Sequence, residues 1–227
     1  MEPDFAQELE RALPRDLPDR AAMLDVARRH AELVVAANER LSLTGLTSPR
    51  DVAVKHVLDS VLPWRRFLEL VPPRPAGSPP PVIADLGSGA GYPGIPLALL
   101  LPHAHVVLIE STGKKAAFLA AAVAELRLAN VEVQAGRAEV LLAARDVDLV
   151  VARAAGPARD LLRLLKPARG RFRRLLLYKG RGPEAERELV QAANDAAKLG
   201  LTGTITFRGE LPDGAGARCL IEYAGSR

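Results

Sequence analysis

Only one cysteine, Cys219, occurs among the 227 residues. That count excludes an intramolecular disulfide and a cysteine-ligated zinc site. Cys219 stands in an apolar strand candidate, where a lone thiol behaves as a small buried hydrophobe. The four histidines, His30, His56, His103 and His105, show no metal-ligand spacing with cysteine or carboxylate, so no metal is expected. His103 and His105 flank the start of a strand candidate and are expected at the surface. The Glu- and Asp-rich N-terminus has no apolar signal core. No run approaches the roughly 18–20 apolar residues that span a bilayer. These absences predict a soluble, cytoplasmic protein with no membrane partner, built as one large domain or one domain with an appendage.

What the chain does have is concentrated in residues 85–94, Asp-Leu-Gly-Ser-Gly-Ala-Gly-Tyr-Pro-Gly. This stretch follows the apolar run Val82-Ile83-Ala84 and opens onto Ile95 to Leu101, the layout of strand, glycine loop and helix that brings bare backbone to a cofactor. Gly87, Gly89 and Gly91 remove the Cβ atoms that would block close approach, and they tolerate the positive φ of a tight turn. Gly89, Gly91 and Gly94 also satisfy G-x-G-x-x-G, a spacing that an ordinary turn can meet. Two acids raise the specificity. Asp85 ends the strand, and Glu110 closes the next apolar run, Val106-Val107-Leu108-Ile109, where a carboxylate can hold both ribose hydroxyls. A dinucleotide or S-adenosylmethionine could take such a loop. A dinucleotide sets its pyrophosphate on a helix N-terminus, and an acid at Asp85 would repel it. S-adenosylmethionine, with a sulfonium and a zwitterionic amino acid, suits that acid. After a third strand candidate, Val131 to Gln134, the Ala138 N–H and the Glu139 carboxylate are placed to read an adenine edge. Three acids ending three successive strands fit a methyltransferase better than a dehydrogenase.

Residues Asp85 to Leu97 resemble the RsmG (GidB) family, which methylates guanine N7 in bacterial 16S ribosomal RNA. Similar to that family as well are Leu43-Thr44, His56-Val-Leu-Asp59-Ser60, Ser111 to Leu119, Arg137-Ala138-Glu139, Val151-Ala152-Arg153-Ala154 and Lys179-Gly180. The resemblance is continuous from about Leu41 to Ala154. It implies an α/β fold of the class I S-adenosylmethionine-dependent methyltransferases, Rossmann-like with seven strands and the last antiparallel, carrying an N-terminal helical appendage. It implies a cofactor site of Asp85, Gly87, Gly89, Gly91, Tyr92, Glu110, Ser111, Thr112, Ala138, Glu139 and Arg153. Arg153 would lie against cofactor or target base, and Lys179 would line the opposite wall. No catalytic His or Cys is expected, because guanine N7 exposes a lone pair and can attack the methyl without first losing a proton. The chain departs from the family at Ser42, where Asn is usual, at Cys219 after Arg218, where His is usual, and at Tyr92, where Leu or Phe is usual. The first two bear on RNA contact.

Basic residues are unevenly spread. Residues 153–187 hold 11 Lys and Arg against 3 Asp and Glu, which accounts for the chain's net charge of +4. Following the fourth strand, this segment is expected at the rim of the site as the electrostatic footprint of RNA. Arg171, Arg173, Arg174, Lys179 and Arg181 are the candidate RNA contacts, with His56 and Ser60. A solvated Arg-rich surface is the plainer alternative for the segment. For His56 and Asp59, on one helix face, the alternative is a hydrogen bond that docks the N-terminal helices; for Arg153 it is a salt bridge to Asp85 or Glu139.

Residues 1–71 read as an N-terminal helical region, 72–81 as a stiff Pro-rich connector and 82–227 as the methyltransferase domain. In the first, Met23, Leu24, Ala27, Ala31, Val34, Val35 and Leu41 predict an amphipathic helix over 20–41, and a second helix is expected over 50–70. Strands are expected at 82–86, 106–110, 131–135, 147–152, 174–179, 203–208 and 218–223, the last two as a hairpin, with helices at about 94–101, 113–128, 137–145, 157–166 and 183–199. The expected partner is 16S ribosomal RNA or the small ribosomal subunit, acted on by a monomer. Two other readings compete: methylation of a small molecule or protein, which the basic segment disfavours, and a non-catalytic RNA-binding assembly protein, which the intact glycine loop disfavours.

Overall fold

A computed structural model describes residues 4–225; the first three residues of the expected 1–71 region and the last two of 82–227 lie outside them. Seven strands form one sheet: β1 (Val82–Leu86), β2 (His105–Glu110), β3 (Val131–Ala135), β4 (Val147–Arg153), β5 (Phe172–Lys179), β6 (Leu201–Leu211) and β7 (Gly216–Gly225). Their order is β3-β2-β1-β4-β5-β7-β6. The first five pair in parallel, and β7 alone runs against its neighbours β5 and β6. This is the α/β sheet expected from the sequence. The central strands are Val-, Ile- and Leu-rich because helices cover both faces. Alternate side chains therefore enter two cores, Ile83, Val106, Leu108 and Val151 on one face and Ala84, Val107, Ile109 and Val150 on the other.

On the first face lie α1 (Phe5–Ala12) and α2 (Arg20–Leu41). The stripe of α2 that packs inward is Met23, Ala27, His30, Ala31, Val34 and Ala37. The expected helix over 50–70 is broken into α3 (Pro49–Asp51), a π-helical stretch Val52–Leu58, α4 (Asp59–Val61) and α5 (Trp64–Leu70). Ser48 starts it, its side chain accepting the Asp51 N–H, with Pro49 in the first turn where a missing N–H costs nothing. Pro63, unable to donate, separates α4 from α5. The remaining helices are α6 (Gly94–Leu100), α7 (Gly113–Glu125), α8 (Ala138–Ala143), α9 (Ala158–Leu164) and α10 (Gly182–Lys198).

The Pro-rich stretch is exposed between Pro72 and Pro80 and, rather than running extended, turns at Ala76–Gly77, with the Ser78 N–H on the Pro75 carbonyl at 3.1 Å. Arg74 ties it down, donating to the Pro79 carbonyl at 3.1 Å and to Asp148 at 2.5 Å. Cys219 is buried in β7, as a small hydrophobe would be. His103 and His105 are partly buried rather than free at the surface: His103 meets the Val71 carbonyl at 2.7 Å and His105 meets Glu132 at 2.9 Å.

Ser42, expected to bear on RNA contact, is the exposed C-cap of α2, in the left-handed region at φ 48° with its N–H on the Asn38 carbonyl. Asn tolerates that backbone better than Ser. Ser42→Asn should therefore raise stability by roughly 0.5–1 kcal/mol, a fraction of the cost of left-handed backbone, read as a higher Tm. Gly94 has the opposite tolerance: a Cβ there would stand 2.2 Å from Leu108 Cδ2 and 2.7 Å from Asp85 Oδ2. Gly94→Ala should lose about 1–3 kcal/mol by overpacking, measured by urea denaturation; an unchanged midpoint would show that α6 shifts freely.

Candidate functional site

The glycine loop leaves β1 with Gly87, Gly89 and Gly91 at φ +69°, +55° and +96°, a path closed to most side-chain-bearing residues. Gly87 and Ser88 donate to the Ile109 carbonyl at 2.9 and 3.1 Å, so the loop hangs from the end of β2. Glu110 braces it further. One carboxylate oxygen accepts the Gly89 N–H at 3.0 Å and the other the Thr112 N–H at 2.8 Å. Each oxygen retains a lone pair for a ligand hydroxyl. Ser111 and Thr112 are exposed beside it. Asp85 is fully buried beneath the loop; its Oδ2 accepts the Gly94 N–H at 3.1 Å, and its Oδ1 has no partner. Burial pushes its pKa up to about 6. An orphaned buried carboxylate oxygen is costly unless something completes it, and a ligand's ammonium has the right chemistry.

Two cavities open along the C-terminal edge of the sheet and share Gly87. The smaller, about 310 Å³, has apolar walls of Leu86, Ile109 and Leu161 and a polar rim of Ser111, Ala138 and Glu139. Glu139 also accepts from Arg137 Nε at 2.5 Å. The larger, about 470 Å³, is lined by Gly89, Tyr92, His56, Asp59, Arg153, Tyr178, Lys179 and Arg218 among others. A flat heterocycle suits the first. The second offers aromatic walls, cations and one carboxylate.

Arg153, at the end of β4, organises the larger cavity. Its Nη1 lies 3.2 Å from the carbonyls of Lys55 and His56, 3.3 Å from Asp59 Oδ2 and 3.4 Å from Ser60 Oγ. Its partner is thus Asp59, not Asp85 or Glu139. Asp59 also accepts from Arg218 Nε at 2.8 Å, so one buried carboxylate joins two guanidiniums. Burial raises the Asp59 pKa, with both arginines pulling against it. The His56 ring stacks on Tyr92 at 4.6 Å between centroids and 8° between planes. Burial first, and the Arg153 charge second, push the His56 pKa down to about 3. Tyr92 is itself buried, its ring also 4.7 Å from that of His30.

The expected RNA contacts do not all gather here. Ser60 is fully buried, donating to the His56 carbonyl at 2.6 Å, and lines neither cavity. Lys179 lines the cavity but is engaged by the Gly156 carbonyl at 2.8 Å and Glu188 at 2.7 Å. Arg181 is exposed, one residue beyond Gly180 of the cavity lining. Arg171, Arg173 and Arg174 lie away from the cavity. They precede or begin β5 (Phe172–Lys179), five to eight residues ahead of Lys179, roughly 17–26 Å along the strand at 3.3 Å per residue. They stand at the sheet end opposite the glycine loop, paired with Asp146, Asp148 and Glu222.

Two contributors, His30 and Tyr178, were not singled out from sequence. His30, fully buried on α2, meets the Ala90 carbonyl at 2.8 Å and lies 4.7 Å from the Tyr92 ring; burial holds its pKa down to about 4. A polar residue inside an apolar stripe was its only signal. Tyr178 donates to the Ser60 carbonyl at 2.7 Å. Thr44, from the Leu43-Thr44 stretch similar to the family, and Arg218, beside Cys219, complete the wall.

Among the described residues no group of three His, Cys, Asp or Glu gathers to hold a metal, and no helix is long and apolar enough to cross a membrane. The family described as rRNA small subunit methyltransferase G (GidB) matches residues 23–208. The chain is 46% identical over 96% of its length to the ribosomal RNA small subunit methyltransferase G of Solibacter usitatus, spanning 98% of that protein. To the protein of the same name from Carboxydothermus hydrogenoformans it is 33% identical over 88% of its length and 82% of the relative's. Two solved structures share the architecture. The human methyltransferase 10 domain containing protein has a TM-score of 0.52 at 14% identity, over 88% of this chain and 98% of that one. An rRNA methylase from Streptococcus thermophilus has a TM-score of 0.50 at 13% identity, over 73% and 95%. At those identities the likeness establishes the class I methyltransferase fold alone. The family match and the near full-length relatives go further: this chain is a methyltransferase that uses a methyl donor of the S-adenosylmethionine type, and it belongs to the rRNA small subunit methyltransferase G (GidB) family.

Proposed function

We infer that this protein transfers a methyl group from S-adenosylmethionine to N7 of a guanine in 16S ribosomal RNA of the small subunit, acting as a monomer. The observation that carries the reading is the pair of cavities meeting at Gly87 in a member of this family, both walled by one chain. S-adenosylmethionine, when bound, supplies an electrophilic methyl on a sulfonium. The bare loop of Gly87, Gly89 and Gly91 admits its backbone-hugging centre. Ser111, Thr112, Ala138 and Glu139 take the adenosine end in the smaller cavity, and Glu110 keeps a lone pair on each oxygen for the ribose hydroxyls. Asp85, sealed beneath the loop and lining neither cavity, meets the ammonium with its unpartnered Oδ1 once the glycine loop shifts around the ligand. The larger cavity, with His56, Tyr92, Tyr178 and Arg153, receives the target base.

No group in that cavity is tuned as a base at neutral pH. His56 is held neutral with a pKa of about 3, and burial pushes the Tyr92 and Tyr178 hydroxyls up. Guanine N7 needs none, since its lone pair is already free. What the residues contribute is alignment of base and methyl donor, with the rigid Arg153 cluster as one wall. Transfer of labelled methyl to small-subunit RNA, followed by mapping of the modified base, tests the reading. Label at a pyrimidine or an exocyclic amine would overturn it.

The Asp85 pKa sets a pH dependence. A bound cation favours the ionised carboxylate, so affinity for S-adenosylmethionine should be full above pH 6 and fall as Asp85 takes a proton, with its pKa of about 6, approaching tenfold per unit. His30 and His56 titrate lower, at about 4 and 3, and leave that window clear. Calorimetry at pH 5 to 8 checks this; Asp85→Asn should bind weakly and without pH dependence, and NAD should not bind at all.

Placement of the arginines gives a second expectation. Arg181→Gln should lower the salt slope of RNA binding by about 1, the loss of one phosphate contact. Arg171→Gln with Arg173→Gln should leave the slope unchanged, because both stand at the far end of the sheet. A slope that follows the second pair instead would place RNA on that end.

A further inference from the structure

Thr44 ends a chain of hydrogen bonds whose direction is set at its far end. The Arg153 guanidinium carries donors and no acceptor. Its Nη2 stands 3.4 Å from His56 Nδ1, which therefore presents its lone pair. A neutral imidazole accepting at Nδ1 carries its proton on Nε2. Nε2 lies 2.8 Å from Thr44 Oγ1, so the ring donates and the hydroxyl oxygen accepts. The same oxygen accepts the Leu46 N–H at 3.0 Å. Both lone pairs of Oγ1 are then taken, and its own hydrogen is the only valence left to offer. Among the described residues no acceptor in the protein takes it. The backbone of Thr44 is held as tightly: its N–H donates to Asn38 Oδ1 at 2.8 Å and its carbonyl accepts from Asn38 Nδ2 at 2.9 Å. This fixed donor stands in the wall of the larger cavity, beside His56, Arg153 and the glycine loop.

We propose that Thr44 is a specificity-determining residue whose hydroxyl donates to O6 of the target guanine. O6 is the acceptor next to N7 on the same purine edge, whereas adenine places an amino donor there. Adenine would set donor against donor, which the direction of the chain forbids Thr44 to relieve. The inference rests on the function proposed above and adds the group that reads the base.

The experiment uses small-subunit RNA with the mapped target guanine replaced by inosine, which keeps O6, or by 2,6-diaminopurine, which keeps N7 but carries an amino group in place of O6. Single-turnover transfer by the parent enzyme should be similar for guanine and inosine. For diaminopurine it should be slower by about 100-fold or more, as expected where a site is built to pair with the missing group. Thr44→Val and Thr44→Ala should slow guanine methylation about tenfold, the worth of one hydrogen bond at the upper end, and should collapse the discrimination against diaminopurine. Thr44→Ser should retain both. Affinity for S-adenosylmethionine should hold in all three variants. Tm should hold in Thr44→Ser and fall in Thr44→Val and Thr44→Ala, which leave the His56 Nε2–H and the Leu46 N–H without their acceptor while the Asn38 clamp still grips the backbone. Equal parent rates on guanine and diaminopurine, or variants that discriminate as the parent does, overturn the role of Thr44. A parent enzyme that binds S-adenosylmethionine yet methylates none of the three RNAs overturns the function beneath it.

Discussion

A guanidinium can only donate, and the surroundings of Arg153 are arranged around that restriction. Sunk at the end of β4 with its side chain only 13% exposed, it needs acceptors from several directions. The π-helical stretch Val52–Leu58 supplies two of them: its widened turn turns the Lys55 and His56 carbonyls toward the guanidinium instead of leaving both to the helix ladder. Asp59 supplies a third and carries the compensating charge. Removing that carboxylate would strand two buried cations, a far larger cost than the net worth of the pair. The same contacts dock the N-terminal helices onto β4 and β7, so the wall of the cavity and the attachment of the helical layer are one construction.

A second carboxylate repeats the device at the other end of the sheet. Glu222 of β7, nearly solvent-free, accepts from Arg66 of α5 at 2.7 Å and from Arg174 of β5. The arginines of residues 153–187 are thus divided between two tasks. Arg153 and Lys179 face the site at the C-terminal ends of parallel strands, while Arg171, Arg173 and Arg174 answer acids at the N-terminal ends. A basic run in sequence became a basic stripe only in part, because a strand crosses the molecule from one edge to the other within it.

The electrostatics of the larger cavity also suit the charge movement of methylation at N7. Transfer removes a positive charge from sulfur and leaves one on the purine, so uncompensated cations beside the base would oppose the reaction. Asp59 between Arg153 and Arg218 lowers that opposition, and the carbonyls of Lys55 and His56 lower it further. Preorganised groups of this kind cost no rearrangement when the charge moves. Keeping His56 uncharged serves the same end, and it leaves the imidazole able to transmit the polarity of Arg153 to Thr44.

Local pattern carried much of this protein. The strand, glycine loop and helix around Asp85, the acids ending β1 and β2, and the alternation of apolar runs are short-range features, readable because backbone geometry at each point depends on a few neighbours. The parallel sheet with one reversed strand was legible for the same reason: helix-length connections force parallel pairing, and a short Gly-rich turn forces a hairpin. Local pattern also misled where a break mattered, since the apolar spacing over 50–70 gave no sign of the π-helical turn. Only the tertiary structure decided what Arg153 pairs with, which end of the sheet each arginine reaches, and that Asn38, Thr44, His56 and Arg153 join in one directed chain. Those residues lie on a helix end, a loop, a π-turn and a strand end up to about a hundred positions apart, with no shared periodicity. Their meeting follows from how the helical layer docks against the sheet edge, and the direction of each hydrogen bond follows from which neighbour can only donate.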